Sequence, residues 1–277
     1  GLLANSTSRV YANGDTIYVT RSGFNYSTDG GTSFSYTFNY GQQYDLHVDG
    51  NTIYTGTNHG IAISTDGGIT FTYKTTADGL ASNAVYGVYA EGNNIYAATN
   101  AGLSFSTDGG ASFTTKTTAD GLGSDTVLGV TASGGTIYVA TLGGLSISAD
   151  GGSTFTNKTT ADGLTSNAIL EIVVVGSTIY VATASNISIS TDGGSSFTPS
   201  YPVPGFSVSV NGLFINGGTI YAGTQSGLAV STDGGVTYPI LYTTADGLGS
   251  NFVNGVYYDS NKLYATTNDG LSILSFS

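Results

Sequence analysis

Residues 106–113 read STDGGASF, and nearly the same eight residues occur five more times in the chain. The other copies are STDGGTSF (27–34), STDGGITF (64–71), SADGGSTF (148–155), STDGGSSF (190–197) and STDGGVTY (231–238). Each copy contains Asp-Gly and Gly-Gly, which tolerate the positive φ angles that tight hairpin turns require. An aspartate in such a turn accepts hydrogen bonds from backbone N–H groups. We therefore predict a structural role for the turn aspartates, Asp29, Asp66, Asp108, Asp150, Asp192 and Asp233.

The turn belongs to a longer repeat, whose most regular mark is an Ile-Tyr pair. These pairs begin at residues 17, 53, 95, 137, 179 and 220, and a Leu-Tyr pair at 263 is the seventh, so the units are 36 to 43 residues apart. In the unit 85–122, the stretches VYGVYA, IYAAT, LSFS and SFTTKTT read as strands separated by turn residues. Four short strands in each of seven units predict an all-β fold, a seven-bladed β-propeller of four-stranded antiparallel blades. An open solenoid is the alternative, but it needs polar end caps, which the sequence does not show.

The seven units predict a single β-propeller domain over residues 1–277. The predicted blades are approximately 7–40, 41–80, 81–122, 123–164, 165–202, 203–248 and 249–277.

The last predicted blade lacks its outer strand, because the sequence stops after the third strand, LSILSFS (271–277). The N-terminal GLLANSTSRV aligns with GLASNAVYGV (79–88), so Gly1 lies beyond the place of a fourth strand. Unpaired strand edges recruit other chains. Two alternatives follow. Either a segment of a neighbouring subunit or of a removed precursor region adds to this edge, or a shortened chain simply ends in a three-stranded blade.

The composition excludes several classes of function. The net charge is −12 with only six Lys and Arg residues, too few cations to bind nucleic acid or an anionic membrane. There is no Cys, each STDGG turn offers one carboxylate, and the two histidines lack a third ligand, so we expect no metal site and no cofactor. The longest apolar run, AILEIVVV (168–175), is too short for a transmembrane segment. Abundant Thr, Ser, Asn and Gly without Cys, Met or Trp predicts an extracellular or cell-surface protein.

Two parts of the repeat resemble known propeller repeats. The pattern S-x-D-x-G-x-[ST]-[FW] resembles the Asp-box (BNR) repeat of sialidase-like and xyloglucanase-like propellers. The stretch from DGLASNAVYGV to IYAATNAGL (78–103) resembles the two-component-regulator propeller repeat, with Tyr where that repeat usually has Trp. The first resemblance implies that the Asp-boxes lie on the face away from the active site. A sialidase needs three arginines and this chain has only Arg9 and Arg21, and no aspartate pair matches a xyloglucanase motif.

A ligand site is predicted where the first strands of the blades line the propeller axis. Alignment of these strands gives one position that is Gly in four units and Arg9, Asp45 or Glu171 in the others. With polar residues from the preceding position, the predicted mouth residues are Arg9, Tyr44, Asp45, Tyr86, Glu171, Asn211 and Asn254. The two acids could hydrolyse a glycoside if they lie ~5–10 Å apart. Alternatively, Arg9 neutralises them and the cluster is a plug.

The loop TTADGL recurs at 75–80, 117–122, 159–164 and 243–248. Its aspartates either present a repeated set of hydrogen-bond acceptors to a glycan or peptide, or they form turns, with Gly supplying positive φ and Leu pointing inward.

These observations predict a non-enzymatic, secreted or cell-surface propeller. It would bind a glycan or protein ligand as a scaffold, or bind copies of itself as a ring or filament component through strand addition at the last blade. The alternative is a polysaccharide-active glycoside hydrolase or carbohydrate-binding propeller that uses acids at the channel mouth.

Overall fold

Each unit of the sequence repeat forms one antiparallel β-sheet. The computed structural model describes residues 7–20, 22–38, 41–201 and 208–276, so Arg21 and the N-terminal residues 1–6 lie outside the described residues. Within them, six sheets have four strands in chain order and the last has three. The fold is a seven-bladed β-propeller with an incomplete last blade, as the sequence predicts.

The strands follow the repeat blade by blade. Blade one contains β1 (Arg9–Asn13), β2 (Thr16–Thr20), β3 (Phe24–Ser27) and β4 (Ser35–Phe38). Blade two contains β5 (Gln43–Asp49), β6 (Thr52–Thr57), β7 (Gly60–Ser64) and β8 (Thr72–Lys74). Blade three contains β9 (Val85–Glu91), β10 (Asn94–Thr99), β11 (Gly102–Ser106) and β12 (Thr114–Lys116). Blade four contains β13 (Val127–Ser133), β14 (Thr136–Thr141), β15 (Gly144–Ser148) and β16 (Thr156–Lys158).

The remaining blades have the same order. Blade five contains β17 (Ile169–Val175), β18 (Thr178–Thr183), β19 (Ile187–Ser190) and β20 (Thr198–Ser200). Blade six contains β21 (Val210–Asn216), β22 (Thr219–Thr224), β23 (Gly227–Ser231) and β24 (Ile240–Tyr242). Blade seven contains β25 (Val253–Asp259), β26 (Lys262–Thr267) and β27 (Gly270–Ser275).

The described chain divides into two compact units. One comprises residues 1–43 and 200–277, and the other comprises residues 44–199. The assignment of residues 1–277 to one domain, with the blade limits given above, stays a prediction.

Within each unit, apolar side chains pack between consecutive sheets. Between blades two and three, for example, Ile61 and Leu80 pack with Val85, Ile95 and Phe113. The aromatic residue that ends an STDGG turn is part of such a layer, since Phe113 is only 9% exposed. Each blade therefore buries its apolar faces only with the help of its neighbours.

The STDGG turns join the third and fourth strands, as the sequence predicts. In blade three, Ser106 Oγ donates to Asp108 Oδ1 (2.6 Å) and accepts from Gly110 N (2.8 Å). The same carboxylate accepts from Ser112 N (3.0 Å) and Ser112 Oγ (2.6 Å). Gly110 has a φ of 84°. Similar bonds in blade two lower the pKa of Asp66 to about 2, with the Thr70 hydroxyl as the largest cause. The carboxylate thus braces the turn in its ionised form.

The TTADGL loops form four short 3₁₀ helices, Thr76–Asp78, Thr118–Asp120, Thr160–Asp162 and Thr244–Asp246. In the first, Asp78 Oδ2 accepts from Thr75 N (2.9 Å), Gly79 has a φ of 100° and Leu80 is only 4% exposed. The backbone bond from Thr75 is the main cause that lowers the pKa of Asp78. These contacts match the turn interpretation, in which the aspartate caps its own helix.

Candidate functional site

The predicted mouth residues are distributed over both units. One unit contains Arg9, Asn211 and Asn254, and the other contains Tyr44, Asp45, Tyr86 and Glu171. Glu171 is half-buried on β17, opposite Ala182 of β18. The other residues form two clusters, each within its own unit. We call Arg9, Asn211 and Asn254 the arginine cluster, and Tyr44, Asp45 and Tyr86 the tyrosine–aspartate cluster.

Bulges in the first strands decide where several of these side chains point. The pairing of β9 with β10 shifts by one residue between Val85 and Gly87, so Tyr86 is the extra residue. The same shift makes Asn211 the extra residue of β21 and Asn254 that of β25. A bulge turns its extra side chain away from the alternating pattern of a regular strand.

The arginine cluster connects three neighbouring first strands through their backbones. Asn254 Nδ2 donates to Thr7 O (2.9 Å), and Asn211 Nδ2 donates to Val253 O (3.3 Å). Arg9 Nη1 donates to Asn254 O (3.0 Å) and lies 3.5 Å from Asn211 O. These groups are therefore already bonded within the protein.

Glycine allows the same first strands to approach each other closely. A Cβ atom on Gly212 would lie 2.6 Å from the Cα atom of Gly255, a distance that no folded protein tolerates without movement. A Cβ atom on Gly87 or Gly255 would be similarly close to the neighbouring backbone, at 2.9 and 2.8 Å, whereas the nearest atom to one on Gly129 would be 3.6 Å away. Close approach therefore explains three of the four aligned glycines.

The tyrosine–aspartate cluster lies on a contact between β5 and β9. Asp45 Oδ2 accepts from Val88 N (2.9 Å), and the rings of Tyr44 and Tyr86 meet edge to face with centroids 5.3 Å apart. Asp45 thus binds the backbone of the next blade rather than projecting as a free acid.

Two further residues of β5 continue this contact. His47 Nε2 lies 2.8 Å from Ala90 O, and Asp49 Oδ2 accepts from Gly92 N (3.1 Å). Asp45, His47 and Asp49 alternate along the strand and so share one face. We call these three residues the β5–β9 seam.

Sequence reasoning missed the role of His47, because it considered the two histidines only as metal ligands. His47 is half-buried, and its ring lies 4.7 Å from that of Tyr89, centroid to centroid. Burial is the main cause that lowers the pKa of His47, while its bond to Ala90 and the nearby Asp45 and Asp49 oppose the shift. The alternation D-L-H-V-D at 45–49 was the available signal.

The unpaired edge of the last blade is the second candidate site. On the described chain, β27 pairs with β26 on one side and with no strand on the other. In the complete blades, the apolar residue at the start of the third strand is fully buried, as Leu103, Leu145 and Leu228 are 0% exposed. The equivalent Leu271 is only half-buried, and Phe276 is 39% exposed. We call Gly270–Phe276 the open edge.

Among the described residues, no group of three or more His, Cys, Asp and Glu is arranged to hold a metal ion. None of the helices in the described part of the chain is long and apolar enough to cross a membrane.

Comparison with known proteins finds structural neighbours but no family. No family profile matches the sequence, and no curated protein matches it. The extracellular domain of the putative hybrid two component system BT4673 from B. thetaiotaomicron superposes with a TM-score of 0.82 at 17% identity. That match covers 99% of this chain but only 38% of the other, so the chain spans less than half of this neighbour.

Two other neighbours are of different kinds. YCF48 bound to D1 peptide gives a TM-score of 0.74 at 13% identity and covers 98% of this chain and 94% of that chain. The Niastella koreensis GH74 enzyme gives 0.72 at 20% identity and covers 98% and 52%. The likeness is one of fold. At these sequence identities the comparisons establish the propeller fold, and the function has to be inferred from the residues of this chain.

Proposed function

We propose that this chain is a non-enzymatic, extracellular binding module that takes up an extended polypeptide segment along its open edge. The observation that carries the proposal is the side of β27 that pairs with no strand of the described chain. Unpaired backbone N–H and C=O groups at a strand edge are satisfied when another strand adds to the sheet. Leu271 and Phe276 offer partly exposed apolar surface beside those groups.

The comparisons support parts of this proposal by likeness. The neighbour from B. thetaiotaomicron is an extracellular domain, which agrees with the composition of this chain. YCF48, a propeller of nearly the same extent, is bound to a peptide in its structure. The first likeness favours a location outside the cell, and the second favours a protein ligand.

The six turns support assignment to the Asp-box type. Their serine, aspartate and closing Ser or Thr form one hydrogen-bond pattern, seen for example at Ser64, Asp66 and Thr70. The carboxylate is occupied by that pattern, so we assign the turns a structural role.

A glycoside hydrolase or a carbohydrate-binding site at the predicted mouth is the second candidate, favoured by the likeness to a GH74 enzyme. The bond from Val88 N to Asp45 argues against it, because this carboxylate stabilises a contact between blades. A screen of polysaccharides for hydrolysis tests the point. Turnover that is lost in Asp45→Asn or Glu171→Gln would replace our proposal with this candidate.

Hydrogen exchange tests the open edge directly. We expect the outward-facing amides of Leu271–Ile273 to exchange much faster than those of Leu103–Phe105, the equivalent residues of a complete blade. Equal protection in the isolated monomer would contradict the proposal. Light scattering at rising concentration, run in parallel, identifies a second copy as the ligand if the edge becomes protected as assemblies form.

A further inference from the structure

We infer that a groove between the outer strands of blade four and the STDGG turn of blade five binds a neutral sugar residue of a glycan. The groove has a volume of about 410 Å³, within the range of roughly 300–1,000 Å³ that ligand pockets have. Its lining includes Ile147, Thr156, Lys158, Gly193, Gly194 and Ser195. We call it the blade-four groove. It shares no residue with the open edge, so this inference goes beyond the proposed function.

The two preceding blades close the corresponding space with a side chain. In blade two, Lys74 Cε lies 3.7 Å from where a Cβ atom on Gly110, in the turn of blade three, would lie. In blade three, the ring of Phe105 lies 3.9 Å from the same point on Gly152, in the turn of blade four. A lysine stem or a phenyl ring therefore covers the turn of the next blade.

Blade four leaves this space open. Ile147 takes the place of Phe105, since both lie opposite the first residue of their fourth strand. Ile147 Cδ1 lies 2.7 Å from where a Cβ atom on Gly194 would lie, and Ile179 Cδ1 lies 3.3 Å from it. No lysine atom of the described chain lies within 4 Å of that point. The shorter side chain and the absence of a covering lysine stem together account for the groove.

The hydroxyl group of Thr156 lacks the hydrogen bond that its counterparts make. In blades two, three and five, the equivalent threonine donates to a carbonyl oxygen of the third strand at 3.2 to 3.3 Å. Thr156 lies opposite Ile147 in the same register, but its hydroxyl makes no such bond among the described residues. This hydroxyl can therefore donate to a ligand or accept from one.

The ammonium group of Lys158 is held less tightly than that of its counterpart in blade three. Lys116 Nζ lies 3.3 Å from Asp120 Oδ1 and 3.4 Å from Ser153 O in the turn of the next blade. Lys158 Nζ lies 3.7 Å from Asp162 Oδ1, beyond hydrogen-bond distance, and its side chain is 21% exposed. Within the described chain, no hydrogen bond joins it to the turn of blade five. Its three N–H donors thus remain available at the groove.

The arrangement of these groups suits a sugar ring. Thr156 and Lys158 alternate along β16 and so share one face of the strand, with Cα atoms roughly 7 Å apart. Ile147 adds an apolar surface between the strands and the turn. A sugar ring can accept from Lys158 through one hydroxyl, exchange a hydrogen bond with Thr156 through another, and lay its C–H groups on Ile147.

The charges around the groove favour a neutral ligand. Asp162 already lies beside Lys158, and Asp150 also lines the groove. The bond from the Ser148 hydroxyl is the main cause that lowers the pKa of Asp150, so this carboxylate is ionised at neutral pH. With a net charge of −12 on the whole chain, an anion would meet repulsion that a neutral sugar does not.

An NMR titration of the intact chain tests the inference. The probes are the neutral disaccharides cellobiose, maltose and lactose, with glucuronate as the anionic comparison. We expect at least one disaccharide to shift the amide signals of Thr156–Lys158 and of residues 193–195, and glucuronate to bind more weakly. If no disaccharide shifts these signals up to its solubility limit, or if glucuronate binds more tightly, the inference is wrong.

Variants identify the groove as the site of binding. Ile147→Phe gives blade four the side chain that blade three has, and it should abolish binding because the ring fills the groove. Lys158→Met keeps the length of the stem but removes the donors, and it should weaken binding about 10-fold or more. Thr156→Val should weaken it roughly 2- to 10-fold. These two variants keep the test valid if Ile147→Phe does not fold.

Lys116→Met is the matched control. It removes the equivalent ion pair of blade three, where Phe105 covers the next turn, and should leave the affinity for the disaccharide unchanged. Equal losses of affinity in Lys116→Met and Lys158→Met would contradict a specific site in blade four.

Discussion

Thr55 provides a sharp test of how the blades pack. It is 0% exposed on β6, and its Oγ1 atom has no hydrogen-bond partner in the described structure. The matching residues of the next three second strands are apolar, namely Ala97, Val139 and Val181. We therefore expect Thr55→Val to stabilise the protein, because the substitution preserves the shape of the side chain and removes a buried hydroxyl.

The size of the effect follows from the loss of this hydroxyl. An unpaired buried polar group costs roughly 1–3 kcal/mol, and the methyl group that replaces it contributes about 0.8 kcal/mol of apolar burial. After allowance for imperfect fit, we expect the free energy of unfolding to rise by ~1–2 kcal/mol. For a chain of this size, the Tm should then rise by about 2–6 °C.

Thr57, two residues further along β6, is the matched control. It is equally buried, but its Oγ1 donates to Gly60 O (2.9 Å) and accepts from His59 N (2.9 Å). We expect Thr57→Val to lower the free energy of unfolding by roughly 1–3 kcal/mol, since two polar groups lose their partner. Calorimetry and urea unfolding measure both variants. If Thr55→Val lowers the Tm as much as Thr57→Val, the Thr55 hydroxyl is bonded and the reasoning is wrong.

Three other predictions concern the contacts between blades. The pKa of His47 is lowered in the folded state, so the unfolded chain takes up a proton on this histidine at a higher pH than the folded chain does. The free energy of unfolding should therefore decrease as the pH falls from about 6.5 towards the folded-state pKa. Urea titrations from pH 7.5 to 5 should show a smaller decrease for His47→Gln. If the variant and the original protein lose the same free energy of unfolding over this range, His47 does not contribute to stability through the β5–β9 seam. Gly212→Ala should cost roughly 1–3 kcal/mol because its Cβ meets Gly255. The equivalent Gly129→Ala should be mild, since the nearest atom is 3.6 Å away, and thermal melts that rank the two the other way would refute the packing argument. Asp45→Ala should destabilise by about 1–3 kcal/mol by leaving Val88 N–H without its acceptor, whereas Asp45→Asn keeps an acceptor oxygen and should lose less. Equal losses in denaturant melts would mean that charge, and not the hydrogen bond, matters.

The sequence by itself determined the features that depend on local conformation. The period of the repeat gives seven units and four strands per unit, and Asp-Gly-Gly gives the turn between the third and fourth strands. The absence of a fourth strand from blade seven was predictable in the same way, by counting the strands of the last repeat. Such features follow from φ preferences and from strand alternation, which neighbouring residues decide.

Only the tertiary structure decided what the polar side chains do. The one-residue shifts in β9, β21 and β25 turn Tyr86, Asn211 and Asn254 out of the regular alternation. Asp45 bonds to the backbone of β9, which lies 43 residues away in sequence. Alignment of the repeats places these residues at two adjacent positions of the first strands, but it does not show that Asp45 and Asn211 have hydrogen-bond partners on another strand. A side chain's partners depend on the register and spacing between sheets, and these are set when the blades pack against each other.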